Sequence, residues 1–350
     1  MASKMKIRDN PNENYTLFEM ANLSWEILKE EWYERGPTQH FLSDFQQDVM
    51  NYSQITQNDI LAVIFVTFLF TIHRFVLTKL ILRPISRYVG FSPKDDVKFS
   101  ESSCKLFYYS LLYAFEYYLV IYKYPELRYN VTSHWADLTP TSIVPNDILA
   151  LYIIEAGFYF HSIYATLFVD AWKKDSIAML IHHALANGLI LFSLCFRYHR
   201  IGLIVLYLHD VADIFLESSK IVLCFKNKFP NKVLETLSIV GFFGFTFSWF
   251  WSRLFLYPQI VLFSTGFIAR TMLPEANFYF LFNVMLWSLM CLNVWWFHFI
   301  LALVYRIATG QTKGVEDTRE YVSEKENGAA HHVKNGDATN GSANKKQKAS

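Results

Sequence analysis

Two apolar runs of this 350-residue chain carry side chains that could do chemistry. His182 and His183 sit in LIHHALANG, and His209, Asp210, Asp213 and Glu217 sit in LHDVADIFLESS. A carboxylate beside an imidazole fixes its tautomer and stabilises its cation, and the imidazole then acts as a general base or a nucleophile. Each such group costs about 2.5–3.5 kcal/mol at the centre of a bilayer, so several together require mutual pairing or a wet cavity. The bland alternative is a polar network that only pins two helices. Two histidines against three carboxylates favour chemistry over it. His and Asp also ligate iron or zinc. Membrane di-iron enzymes need several histidine boxes, however, and this chain has one His-His pair within its apolar runs, so no metal is expected.

The elements that must position these residues are helices in a membrane. The chain is 53% hydrophobic and 18% aromatic, and a crossing helix needs about 20 apolar residues. Seven spans can be read: Ile60 to Leu82, Leu106 to Tyr124, Asp147 to Val169, Ser176 to Phe196, Ile201 to Cys224, Leu237 to Tyr257, and Phe278 to Tyr305. A very short connection joins the fourth and fifth, which reads as a tight antiparallel hairpin. Counting back from its turn places His182 and His183 opposite Asp213. Asp210, Asp213 and Glu217 are spaced to share one helix face. The cluster lies roughly 24 Å from the turn at 1.5 Å per residue.

Lysine and arginine in alternate connections set the orientation. Arg83, Arg87, Lys94 and Lys98 follow the first span, Lys173 and Lys174 the third, and Lys226, Lys228 and Lys232 the fifth. These connections should be cytosolic, with the N-terminus luminal and the C-terminus cytosolic. Asn14 and Asn22 head glycosylation sequons in the luminal segment. Phe18, Ala21, Trp25, Leu28 and Trp32 form a helical stripe, suited either to the membrane surface or to packing on the span ends. Three regions result: a luminal segment, 1–57; a membrane domain, 58–308; and a tail, 309–350, whose Asn, Gly, Ala, Lys and Glu composition reads as disordered. The four cysteines have no paired spacing, so neither disulfides nor a zinc site is expected. No basic stripe suggests nucleic acid.

The stretch HHALANGLILFSLCFRYHRIGLIVLYLHDVADIFLESSK, residues 182–220, resembles the Lag1 motif of ceramide synthases. The matching positions are His182, His183, Ser193, Arg200, Gly202, His209, Asp210, Asp213, Leu216, Glu217 and Lys220. FYFHSIYATLFVDAWKKDS and FSWFWSR also resemble that family. Ala186 stands where a threonine is usual, and Leu194 where an aromatic residue is usual. About twenty residues separate the first two spans, too few for the homeobox-like domain of many members. The chain thus most resembles the homeobox-less ceramide synthase one subgroup, which in animals favours stearoyl chains.

The resemblance implies an all-α integral membrane protein with a seven-helix TLC-domain bundle in the endoplasmic reticulum. The implied reaction is N-acylation of a sphingoid base by a fatty acyl-CoA, without a cofactor, among membrane lipids and as a homo- or heterodimer with related synthases. His182, His183, Asp210 and Asp213 are the implied catalytic set. Ser193, Arg200, His209, Glu217 and Lys220 are its support. The stretch from Phe263 to Ala276, between the last two spans, corresponds to the one that influences acyl length in the family. The competing readings are a direct attack with His or Asp as general base, a non-enzymatic TLC-type lipid-sensing or translocon accessory protein, and a metal-dependent lipid hydroxylase.

Overall fold

The computed structural model describes residues 16–35, 46–47, 49–51, 53, 55–136, 138, 142–273 and 278–312. Asn14 and residues 313–350, nearly all of the expected tail, lie outside them. Regular structure among the described residues is entirely helical. This is the solution hydrocarbon demands of an open chain, since a helix bonds each backbone N–H and C=O within its own segment.

Among the described residues the helices that build the bundle and its ends are α1 (Leu17–Arg35), α2 (Gln57–Val89), α3 (Pro93–Tyr117), α4 (Glu126–Tyr129), α5 (Asn146–Phe168), α6 (Ser176–Cys195), α7 (His199–Lys228), α8 (Lys232–Met272) and α9 (Tyr279–Ala308). Local chemistry sets several starts. Thr56 and Asp59 close a capping box at α2, and Ser92 caps α3 with Pro93 in its first turn. Asn231 accepts from the Leu234 N–H at α8, 2.9 Å away.

Five of these helices, α2, α5, α6, α8 and α9, are long and apolar enough to cross a membrane. The second and fifth expected spans are continuous helices too, α3 and α7, but they do not meet that description. They carry the charges: Glu101, Lys105 and Glu116 on α3, and Asp210, Asp213, Glu217 and Lys220 on α7. Helix α8 runs further than expected. It passes Pro258 through a series of π-turns and ends at Met272. A proline cannot donate its i−4 bond, and the wider turn accommodates its ring. Most of the stretch expected to connect the last two spans is therefore helix, with Ser264, Thr265, Gly266 and Phe267 buried.

The helices close a ring in the order α3, α7, α8, α9, α6, α5, with α2 outside against α5. This arrangement corrects the expected tight hairpin. Although only a short turn joins α6 to α7, α7 packs chiefly on α3 and α8, and α6 on α5 and α9. The turn itself holds Arg197 at φ 67°, an unusual value for a residue with a Cβ. The two helices splay from it, and the space between them is where the polar residues meet.

Helix α1 docks through the face holding Met20, Leu23, Ser24 and Glu31, all buried. Arg270 at the end of α8 pairs with Glu30 and Glu31 at 3.4 and 3.7 Å. In the aromatic stripe, Phe18 and Trp25 are exposed, Trp25 by 65%, while the Trp32 ring lies 5.3 Å from that of Phe280 on α9. Asn22 lies on the exposed side too. The same end of the bundle is clasped by His134, whose Nε2 lies 2.7 Å from the Leu127 carbonyl and whose Nδ1 lies 2.8 Å from the Ser264 hydroxyl. Burial pushes this imidazole down to about 4. It is therefore neutral, with Nε2–H donating to Leu127 and Nδ1 accepting from Ser264.

Candidate functional site

A cavity of about 330 Å³ opens between α3, α5, α6, α7, α8 and α9. His182 and His183 reach it from α6, Asp213, Glu217 and Lys220 from α7, and Arg253 from α8. Its far wall is aromatic and aliphatic, with Trp249, Trp295, Trp296 and Phe299 among its members. The His182 ring stands edge-on to Trp296, centroids 5.4 Å apart. Such a wall suits an alkyl chain, since each buried CH₂ contributes about 0.8 kcal/mol.

A second, much smaller pocket of about 30 Å³ lies on the other side of His182. Ser193, Gly202, His209, Tyr159 and Ala186 line it. Of the histidine pair, His182 borders both spaces and His183 only the first. Residues 182–220 are thus divided between two spaces that share one imidazole. The Nδ1 atoms of both histidines are buried without a hydrogen-bond partner.

Gly202 explains how the small pocket is shaped. A Cβ there would fall on the Tyr152 hydroxyl and 3.0 Å from the Ser193 Oγ. Tyr152 donates to the His199 carbonyl at 2.9 Å and accepts from Ser193 at 3.3 Å. Gly202→Ala should overpack this spot and cost about 1–3 kcal/mol. A lowered melting temperature in detergent is expected, and an unchanged one would refute the packing argument. Arg200 points away from both spaces. Its Nη1 donates to the carbonyls of Ser133 and Ala136 at 2.9 and 2.8 Å, tying α7 to the segment before α5.

Arg253 makes two buried polar contacts at the cavity. Its Nη2 donates to Asp213 Oδ2 at 2.6 Å and to the His209 carbonyl at 2.7 Å, and its guanidinium lies 4.0 Å from the Trp249 ring. The residue is 2% exposed. Arg253 lies in FSWFWSR, outside the residues whose types and spacing point to chemistry in the sequence. The available signal was simpler, because an arginine inside an apolar run requires a partner, and Asp213 is it. His209 is held apart from the acids: its Nδ1 faces the Val205 carbonyl at 2.8 Å and its Nε2 faces Asn293 at 3.1 Å.

Asp210 does not face the cavity. It meets Glu116 of α3 and Glu155 of α5, each offering an oxygen within 4.8 Å of the others. At an effective dielectric of about 20, two unit charges at that distance repel by roughly 3.5 kcal/mol. The face that Asp210, Asp213 and Glu217 were expected to share therefore divides: Asp213 and Glu217 border the cavity, and Asp210 turns toward α3 and α5.

Charges gather where α5 gives way to α6. Glu101 accepts from Lys105 and Lys173, each at 2.7 Å, and Lys105 also reaches Asp170 at 3.0 Å. Asp170 pairs with Arg74 as well, and Glu217 accepts from Lys220 at 2.6 Å. Burial opposes ionisation of Asp170, but Lys105 and Arg74 outweigh it and hold the carboxyl below its ordinary range. Lys173 and Lys174 both border the cavity here.

Residues 98–302 match the TLC domain family. The chain is 37% identical over 246 residues to Ceramide synthase 1 of Homo sapiens, covering 70% of each protein. It is 34% identical to Ceramide synthase 1 of Mus musculus, covering 71% of each. Ceramide synthase LOH1 of Arabidopsis thaliana is 29% identical, with 78% of this chain and 92% of that protein covered.

Proposed function

The chain belongs to the ceramide synthases of the TLC domain family, and from that premise we propose that it N-acylates a sphingoid base with a long-chain fatty acyl-CoA. Its place is the endoplasmic reticulum membrane, crossed seven times, with α3 and α7 as the charged crossings. The N-terminus is luminal and the C-terminus cytosolic.

The observation that carries the mechanism is the position of His182, the imidazole that borders both spaces. Its nitrogen attacks the thioester carbonyl, the C–S bond breaks, and coenzyme A leaves toward the basic end near Lys173 and Lys174. The acyl chain stays against the apolar wall. The sphingoid amine then attacks the acyl-imidazole, forming the amide and freeing His182. Splitting the reaction means the two long-chain substrates need not react in one step. Arg253 and Asp213 form the fixed polar wall beside the imidazole. Direct attack with a histidine or aspartate as general base is the second reading.

The test is an assay of microsomes with sphinganine and a panel of acyl-CoAs. Acyl-dependent formation of dihydroceramide is expected, with stearoyl-CoA preferred. No product from any chain length, in membranes where the protein is present, would sink the reading. Intact-protein mass spectrometry after acyl-CoA alone separates the two mechanisms, since the acyl-imidazole route requires one added acyl group that sphinganine removes.

A further inference from the structure

A protonated amine gives up two protons when it becomes an amide, and the leaving imidazole accounts for only one of them. The sphingoid base arrives mostly as an ammonium. In its attack on the acyl-imidazole the new C–N bond forms, the bond to His182 breaks, and the imidazole takes one proton in place of the acyl group. The other must go elsewhere. Carboxylates that border the cavity are already held: Asp213 by Arg253, Glu217 by Lys220, Glu101 by Lys105 and Lys173, and Asp170 by Arg74.

Glu116, Glu155 and Asp210 stand behind the cavity wall, 0%, 0% and 1% exposed. None of their six carboxylate oxygens accepts from another donor among the described residues, and the Glu116 and Glu155 carboxyls lie within hydrogen-bonding reach of each other. Three full negative charges cannot stay together there. A bound cation would neutralise them, but metal-ligating carboxylates are themselves held by outer donors, and these have none. The hydrogens that satisfy these oxygens are then their own, shared between neighbouring carboxyl groups as in other buried carboxyl pairs.

Tyr159 connects the two places. It lies one helical turn beyond Glu155 on α5, near enough to feel the charges of Asp210 and Glu155 although it bonds neither. Its ring centroid lies 6.3 Å from that of His182 and 5.9 Å from that of His183. The other ionisable groups around the cluster are Tyr109 and Tyr113 from α3, Asp213 from α7 and Arg253 from α8. His209, next to Asp210 in sequence, is turned to Val205 and Asn293.

We propose that Glu116, Glu155 and Asp210 form a proton-sharing carboxyl cluster that takes up, through Tyr159, the second proton released by the acylated amine. The proposal rests on the acyltransferase reading of the site. The Tyr159 hydroxyl, which bonds none of these oxygens in this structure, moves onto an ionised member of the cluster and passes its own proton to it as it receives the proton from the amine. The cluster later returns it to water by the reverse path.

Two measurements on the full chain in detergent test this. Infrared spectroscopy should show a protonated-carboxyl C=O band that shifts in D₂O, is lost or altered in Glu155→Gln and Glu116→Gln, and persists in Tyr159→Phe. Steady-state assays should show all three variants slowed about a hundredfold in kcat at neutral pH, the low end for a positioned proton acceptor. The deficit should shrink as the pH approaches the pKa of the free amine, with the sphinganine KM unchanged. Absence of the band, or a stoichiometric metal ion in elemental analysis of the wild type, overturns the proposal. So does a loss of kcat that is uniform across pH. If the wild type acylates nothing, the acyltransferase reading has failed, and the infrared result still reports whether the carboxyls share protons.

Discussion

His182→Ala abolishes acyl transfer, lowering kcat by more than about a hundredfold, while the protein still accumulates in the membrane. The ring stands between the large cavity and the small pocket, in contact with Trp296 on one side and Tyr159 on the other. Truncation removes the reacting nitrogen and opens one space into the other. It removes no hydrogen bond from the buried Nδ1, which has none, so the fold loses packing but no polar partner. His183→Ala is the informative comparison, because that ring borders the large cavity alone. It should reduce turnover less and still permit an acyl adduct, whereas His182→Ala should show no adduct. Equal losses in the two variants, each with an adduct, would remove His182 from the role of nucleophile.

Arg253→Met destabilises the protein by about 3–5 kcal/mol, because it leaves the Asp213 charge without its partner in a mostly buried place. Two donated bonds go with it, one to Asp213 and one to the His209 carbonyl, together with the contact over Trp249. Removing Asp213's charge as well should return part of the loss, so Arg253→Met with Asp213→Asn should melt higher in detergent than Arg253→Met alone. Arg253→Lys should rescue poorly, since an ammonium cannot lie flat on Trp249 while reaching two acceptors. A melting temperature unchanged in Arg253→Met would show that the pair contributes nothing to stability. Asp213→Asn alone should keep the fold better than Arg253→Met and still lose most acylation, which separates the electrostatic role of Asp213 from its structural one.

Much of this could be read in one dimension. Apolar runs of span length have few solutions in hydrocarbon, so helices at Asn146–Phe168, Ser176–Cys195 and Tyr279–Ala308 followed from composition. The same reasoning marked His182, His183, Asp210, Asp213 and Glu217, because ionisable groups in such runs need a reason to be there. Tertiary structure decided how they are shared out. Helical spacing places Asp210, Asp213 and Glu217 on one side of α7, but one side of a helix meets more than one neighbour. Here α3 and α5 present Glu116 and Glu155 to Asp210, while α8 presents Arg253 to Asp213. Chain connectivity suggested that α6 and α7 pack together, and the ring of helices instead parts them around a cavity. Sequence spacing determines which residues a helix carries along each stripe. Which partner each stripe meets depends on the packing of helices distant in sequence, and no local pattern encodes that.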